Sequence, residues 1–290
     1  MSDRRDARST APPGRKLSRR RWLIGCGGLA AAGAAGAVAC DDRWDLQTPQ
    51  VDVPLKGLGQ ALDGFRIAHL TDLHRGVYVS AAFVDRAVQA ANAARPDLVV
   101  LTGDYVTHST DFMRSCAESL AKLAAPYGRV AVLGNHDYWT SADEVTRELG
   151  GTAGLQVLKN RPILIFHGDA ALAIAGLDDP VTLHHDFDAV LSGIEPDIPV
   201  VLPAHTPDII EEAARRKVGL VLAGHTHGGQ IVVPGFGPPV PNSRYGRRFV
   251  AGLRRLGDTA VYTNRGVGMA VLPVRFNCPP EVAIITLRSA

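Results

Sequence analysis

Phe65-Arg66-Ile67-Ala68-His69-Leu70-Thr71-Asp72-Leu73-His74 is the stretch that decides the fold. Phe65 to Thr71 is a compact, mostly apolar run with the look of a buried strand. It ends at Asp72, with His74 two residues beyond. An Asp-x-His after a strand arises often by chance and means little alone. The same arrangement recurs along the chain. Leu98 to Leu101 leads to Gly103-Asp104. Arg129 to Leu133 leads to Gly134-Asn135-His136-Asp137. Pro199 to Leu202 leads to His205, and Leu220 to Ala223 leads to Gly224-His225-Thr226-His227. These segments bring oxygen and nitrogen donors of the kind that Mn²⁺, Fe and Zn²⁺ accept.

The segments between the strands read as helices. Ser80 is a plausible N-cap for a helix reaching Ala94, with Phe83, Val84, Ala87, Val88 and Ala91 at helical spacing. A second helix runs from about Asp111 to Ala124 and stops before Pro126. Ser141-Ala142-Asp143-Glu144 is a capping-box pattern that opens a third. Beyond Gly150 short strands dominate, at Gln156–Leu158, Pro162–Phe166 and Leu172–Ala175. Short helices are expected near Asp186–Leu191 and over Pro207–Arg216. Gln230–Val233 is expected to continue as a strand, with further strands between Tyr262 and Leu287. Alternating strand and helix predicts an α/β fold, two mixed sheets packed face to face between helix layers. Ligands collect at the carboxyl ends of such strands, where Asp72, Asp104 and Asn135 fall. Residues 41–64 read as a linker turning into a first strand, and residues 65–290 as the main domain.

Charge is unevenly distributed. The first 40 residues hold eight Lys or Arg against two Asp, a net +6. The remainder holds 23 basic and 27 acidic residues, a net −4. The body therefore lacks the basic footprint of a nucleic-acid binder, and no nucleic-acid partner is expected. Residues 1–40 read as a signal peptide with a basic leading region. Ser18-Arg19-Arg20-Arg21-Trp22-Leu23-Ile24 resembles the twin-arginine export pattern, and a Gly/Ala-rich run follows from Leu23 to Ala39. That run is short and poorly hydrophobic for a membrane span. Ala37-Val38-Ala39 suits an ordinary signal peptidase, while Ala37-Val38-Ala39-Cys40 resembles a degenerate lipobox that would leave Cys40 lipidated. Membrane association through an uncleaved leader or a lipidated Cys40 stays open. Cys116 and Cys278 can pair in an oxidising compartment or stay as buried thiols.

The five segments together resemble the calcineurin-like metallophosphoesterase superfamily, from about Phe65 to His227. His225-Thr226-His227-Gly228-Gly229-Gln230, Asn264-Arg265-Gly266-Val267-Gly268 and Pro273-Val274-Arg275-Phe276-Asn277-Cys278-Pro279-Pro280-Glu281 look like an exported or membrane-associated bacterial branch of it. The resemblance implies the α-β-β-α sandwich and two divalent metal ions, Mn²⁺ first, with Fe or Zn²⁺ as alternatives. Asp72, His74 and His227 would hold one metal, and Asn135, His205 and His225 the other. Asp104 would bridge them. The implied reaction is hydrolysis of a phosphodiester or pyrophosphate by metal-bound hydroxide, with the metals about 3.5–4 Å apart. His136 would act as general acid, and Asp137 would orient His136 or a ligand histidine. Arg75, Arg265 and Arg275 are candidates for bidentate phosphate contacts. The substrate would be a phosphoester, an envelope lipid or nucleotide derivative among the options. The place of action would be the periplasm, the cell wall or the outer face of the cytoplasmic membrane, reached through the twin-arginine machinery. Rival readings are a UDP-2,3-diacylglucosamine-type pyrophosphohydrolase of lipid A synthesis and a non-catalytic binding module. The leader counts against the first, and the complete ligand set against the second.

Overall fold

The computed structural model describes residues 41–290, which form one compact unit. The twin-arginine leader and Cys40 lie outside the described residues. Twelve strands follow in chain order: β1 Gln50–Leu55, β2 Arg66–Leu70, β3 Leu98–Thr102, β4 Arg129–Val132, β5 Gln156–Val157, β6 Arg161–His167, β7 Ala170–Gly176, β8 Val200–Pro203, β9 Leu220–Ala223, β10 Gly252–Leu256, β11 Thr259–Thr263 and β12 Ala283–Ser289. They form two six-stranded sheets, ordered β1-β12-β2-β3-β4-β5 and β10-β11-β9-β8-β7-β6. Both sheets are mixed. β2, β3 and β4 run parallel in the first, as do β7, β8, β9 and β11 in the second.

The alternation of side chains builds three apolar layers. Ile67, Leu98, Val100, Val130 and Val132 face the second sheet and meet Leu172, Ile174, Val201, Leu220 and Leu222. The intervening residues Ala68, Leu70, Val99, Leu101 and Ala131 face outward. They are covered by helices α1 Ala81–Ala93, α2 Met113–Leu120 and α4 Ala142–Gly151, with the one-and-a-half-turn α3 Asn135–Thr140 between the last two. On the far side, Leu202, Val221, Ala223 and Val261 pack beneath α5 Phe187–Leu191 and α6 Ile210–Arg215. Strands buried on both faces read as near-continuous apolar runs, which is how β9 and most of β3 read in the sequence, while β2 carries the buried His69 within its run. The result is the expected α-β-β-α arrangement. Among the described residues no helix is long and apolar enough to cross a membrane.

Several boundaries differ from the sequence reading. The first strand within residues 41–64 is Gln50–Leu55, which pairs in parallel with β12 along its whole length and forms the edge of the first sheet. The helix expected over Asp111–Ala124 ends at Leu120 after a 3₁₀ turn at Thr110–Phe112. Gln230–Val233 forms no strand, and only lone bridges occur there, Ile231 to Phe276 and Val233 to Gly237. Its glutamine instead serves a loop described below. Ser80 caps α1 as expected, accepting from Phe83 N at 3.2 Å, and Ser141 caps α4. Cys116 and Cys278 are buried free thiols.

The inter-sheet layer is the main apolar contact, and Leu222 is fully buried at its centre. Leu222→Ala is expected to lower the unfolding free energy by about 2–5 kcal/mol, measured by urea titration. A loss below about 1 kcal/mol would contradict this packing.

Candidate metal centre

All five motif segments leave their strands at the same rim. Asp72 and His74 follow β2, Asp104 follows β3, Asn135 and His136 open α3 after β4, His205 follows β8, and His225 and His227 follow β9. The turns are unusually tight. Asp72, His74, Asp104, His225 and His227 all have positive φ, from 46° to 68°. Such a conformation is strained for residues with a Cβ, at about 1–3 kcal/mol each, and clusters at functional sites. The neighbouring glycines are required by close approach. A Cβ on Gly134 would sit 2.3 Å from Asp104 Oδ1, and one on Gly224 would sit 2.3 Å from Asp72 Oδ2.

Two groups of donor atoms result, sharing one oxygen. In the first, His74 Nε2 lies 3.1 Å from His227 Nε2, and His227 Nε2 lies 3.3 Å from Asp72 Oδ1. In the second, His205 Nε2 lies 3.0 Å from Asn135 Oδ1 and 3.1 Å from His225 Nδ1. Asp104 Oδ2 stands between them, 3.5 Å from His74 Nε2 and 3.3 Å from His205 Nε2. The seven side chains expected as ligands thus converge. His136 joins them at the edge, its ring centre 4.9 Å from that of His74.

The electrostatics suit cations. Asp72, Asp104 and Asp137 are all buried, and Asp72 Oδ1 has no hydrogen-bond partner. Burial holds His74 and His225 down to about 3 and His227 well below its ordinary value, so these imidazoles are neutral and offer lone pairs. Burial also pushes Asp72 up to about 6. His205 and Asp104 form a coupled pair. Burial disfavours both charges, but their mutual attraction prevails, raising His205 to about 10 and lowering Asp104. Unpartnered carboxylate oxygen and facing imidazole nitrogens are stabilised by divalent metals, and the residues present fit two of them.

Ring orientation is set by a further layer of contacts. His205 Nδ1 meets the Thr102 carbonyl at 2.7 Å, His74 Nδ1 the Thr107 hydroxyl at 3.2 Å, and His136 Nδ1 the Thr107 carbonyl at 2.9 Å. Thr71 donates to Asp72 Oδ2, as does the backbone of His225. The Asn242 amide reaches His225 Nε2 at 3.2 Å and donates to its carbonyl. Asn264 spans the sheets, donating to the His69 carbonyl while accepting from Gly266 N. Thr71, Thr102, Thr107 and Asn242 were not singled out in the sequence, because threonine and asparagine in loops are too common to carry a signal.

Two expectations change in detail. Asp137 contacts no histidine side chain. Its carboxylate accepts from Gly134 N, Asp104 N and Tyr105 N, each at 2.9 Å, so it fixes the backbone around the shared aspartate. Burial and nearby Asp104 push it up to about 8, and the backbone donors pull the other way. Arg275 is fully buried and donates to the carbonyls of Arg265, Gly266, Gly268 and Cys278. It braces a loop and is closed to a phosphate. Arg265 pairs with buried Glu281 at 2.6 Å. Arg75 donates to the Gly76 and Val79 carbonyls and lies over the Phe112 ring. His69 is buried against the Thr102 hydroxyl at 2.9 Å. His184 stacks on Tyr138, and His185 lines the surface basin beyond His225.

His205 keeps its extra proton up to about pH 10 in the metal-free protein, and a metal on Nε2 must displace it. Calorimetric titration of metal-free protein at pH 7, in buffers of different ionisation enthalpy, should show proton release on binding. Affinity should rise with pH from 6 to 9, and a pH-independent affinity would contradict the His205–Asp104 pairing.

Comparison with known proteins agrees with this geometry. Residues 65–229 match the family model described as calcineurin-like phosphoesterase. The chain is 32% identical over 284 residues to an uncharacterized metallophosphoesterase, YkuE, of Bacillus subtilis, covering 95% of this chain and 99% of that one. It is 33% identical over 226 residues to the phosphodiesterase YaeI of Escherichia coli, covering 77% and 82%. A transmembrane protein with a metallophosphoesterase domain from Danio rerio is 31% identical over 253 residues, 83% of this chain and 57% of that one. Matched along its motif-bearing half and across nearly the full length of a bacterial relative, this chain belongs to the calcineurin-like metallophosphoesterase family and is a phosphoric ester hydrolase.

Proposed function

We propose that this protein hydrolyses phosphodiester or pyrophosphate bonds at a two-metal centre held by Asp72, His74, Asp104, Asn135, His205, His225 and His227. The observation that carries the reading is the single Asp104 oxygen placed between two histidine-bearing donor groups. The phosphodiesterase name of the Escherichia coli relative supports the bond type. Two divalent ions there would supply charge neutralisation of the phosphoryl group and an acidified water. Mn²⁺ is the first candidate, with Fe or Zn²⁺ next.

The protein's own groups would do the rest. His136 sits beside His74 at the edge of the donor cluster. Its Nδ1–H donates to the Thr107 carbonyl, and in the imidazolium form its Nε2–H would supply the proton that a departing alkoxide takes. Its backbone N–H donates to Asp104 Oδ1, so the acid and the shared carboxylate are held by one turn. Asp137 keeps that turn in place.

The place of action is also proposed. The Ser18–Ile24 pattern supports twin-arginine export to the periplasm, cell wall or outer face of the cytoplasmic membrane. The transmembrane relative is compatible with a membrane-side role.

Chelation should abolish hydrolysis of bis-p-nitrophenyl phosphate, and Mn²⁺ should restore it. Asp104→Ala should remove at least about 10³-fold of kcat/KM, reflecting loss of both metals' shared ligand. Activity surviving both treatments would refute the mechanism. His136→Ala should slow esters of poor leaving groups by about 10²–10⁴-fold and p-nitrophenyl esters far less. Equal losses on both would remove His136 from the acid role. Replacing Arg19 and Arg20 together by Lys should retain the protein in the cytoplasm, as followed by fractionation. Unchanged export would rule out the twin-arginine route.

A further inference from the structure

Two depressions open from the two sides of the metal centre, a basin of mixed polar and apolar lining and a mostly apolar cleft. Beyond His225 lies a broad basin of about 930 Å³, bordered by Asp186, Asp208, Arg216, Asn242 and Arg244. Beyond His74 lies a narrow cleft of about 210 Å³ between two loops. One loop carries Val77 and Tyr78, which follow directly from His74 and Arg75. The other carries Met269, Val271 and Leu272 after β11. Phe112 and His108 lie at its side.

The tips of this cleft hold large apolar side chains in water. Val77 is 84% exposed, Tyr78 60%, Val271 92% and Leu272 53%. Single exposed apolar residues are ordinary, but a cluster at the mouth of a catalytic site is informative. Val271 carries more weight still. It is β-branched with φ of 60°, a conformation that disfavours such residues most. Leu272 N donates back to the Ala270 carbonyl at 2.6 Å, closing a tight turn of the rare γ type with Val271 at its apex. The turn is held from outside. Gln230 accepts from Ala270 N at 3.0 Å and donates to the Leu272 carbonyl at 2.8 Å, so its amide clasps both ends. Arg275 fixes the start of the same loop through the Gly268 carbonyl. A strained turn clamped by two side chains to present valine to solvent is a built feature with no role in the core.

We infer that this cleft receives the hydrocarbon chain of an amphiphilic phosphoester, whose phosphoryl group lies at the metal centre. This rests on the phosphoesterase reading above and narrows its substrate class. The cleft begins at His74, and Val77, Tyr78, Phe112, Met269, Val271 and Leu272 give a chain attached to the phosphoryl group an apolar wall there, beside the polar Arg75, Thr107, His108 and Ser109. The basin on the opposite side offers Asp186, Asp208, Arg216 and Arg244 to the polar part of the molecule. Hydrolysis adds water across one phosphorus–oxygen bond: the oxygen goes to phosphorus, and the departing oxygen takes a proton.

The test uses methyl and octyl p-nitrophenyl phosphodiesters, which share one leaving group, at concentrations below micelle formation with Mn²⁺ protein. Each methylene entering the cleft should raise kcat/KM about fourfold, giving at least a tenfold preference for the octyl ester. Val271→Gly removes the apolar tip and suits the positive φ, so thermal unfolding should hold or rise while the preference falls toward one. The Val271→Asp, Leu272→Asp double variant should lose the preference as well, and Val271→Ile should keep it. Equal turnover of the two esters, or a preference unmoved by these variants, would overturn the cleft assignment and leave the phosphoesterase reading standing. No turnover of either ester with Mn²⁺, Fe or Zn²⁺ would end the phosphodiester reading and this inference with it.

Discussion

The Asp104 carboxylate is the constraint around which the rim is arranged. One of its oxygens faces His74 and His205 together, and the other accepts the His136 backbone N–H. Holding it there requires its own backbone to be fixed, which the Asp137 carboxylate does through Asp104 N and Tyr105 N. It also requires that Gly134 carry no side chain, since a Cβ would overlap Asp104 Oδ1. Burying three aspartates in one pocket costs several kcal/mol per charge unless cations or donors offset it. His74, His225 and His227 are neutral and one Asp72 oxygen is bare, so protonated His205 offsets only part of that cost and the donor set suits cations for the rest.

The two sheets contribute unequally to this arrangement, and neither is sufficient. The first supplies Asp72, His74, Asp104 and Asn135, and the second supplies His205, His225 and His227. Their rims are stitched by polar contacts: His205 Nδ1 with the Thr102 carbonyl, Asn264 with the His69 carbonyl, and His225 N with Asp72 Oδ2. The apolar layer between the sheets sets their spacing, and these contacts set their alignment. The loop after β11 extends the scheme. Val267 N and Gly268 N bond to the Thr71 and Asp72 carbonyls at its base, and Arg275 and Gln230 secure its far part. The residues that complete the metal rim thereby also shape the apolar cleft beside it.

Much of the site was legible because each ligand is announced locally. A mostly apolar strand followed by a short Asp, Asn or His segment marks a chain end forced into a tight turn, and five such segments in order are specific. The helix cap at Ser80 was equally local. Other features were not legible, because they depend on partners far along the chain. The bounds of the first strand are one case: Gln50–Leu55 is fixed as that strand by pairing with Ala283–Ser289. Gln230–Val233 has β-branched residues suited to a strand, yet its glutamine is drawn to the Ala270–Leu272 turn. Arg275 sits in a motif that invites a phosphate contact, and only burial among carbonyl oxygens assigns it to the loop.

The sequence by itself determined the donor types, their order, and the strand-then-turn context that brings each to a sheet edge, since those follow from local apolar pattern and the chemistry of Asp, Asn and His. The tertiary structure alone decided that the donors share one oxygen, that Asp137 serves backbone and that Val271 guards an apolar cleft. Those outcomes depend on how two separately patterned sheets align, and alignment is fixed by contacts between residues as far apart as His69 and Asn264.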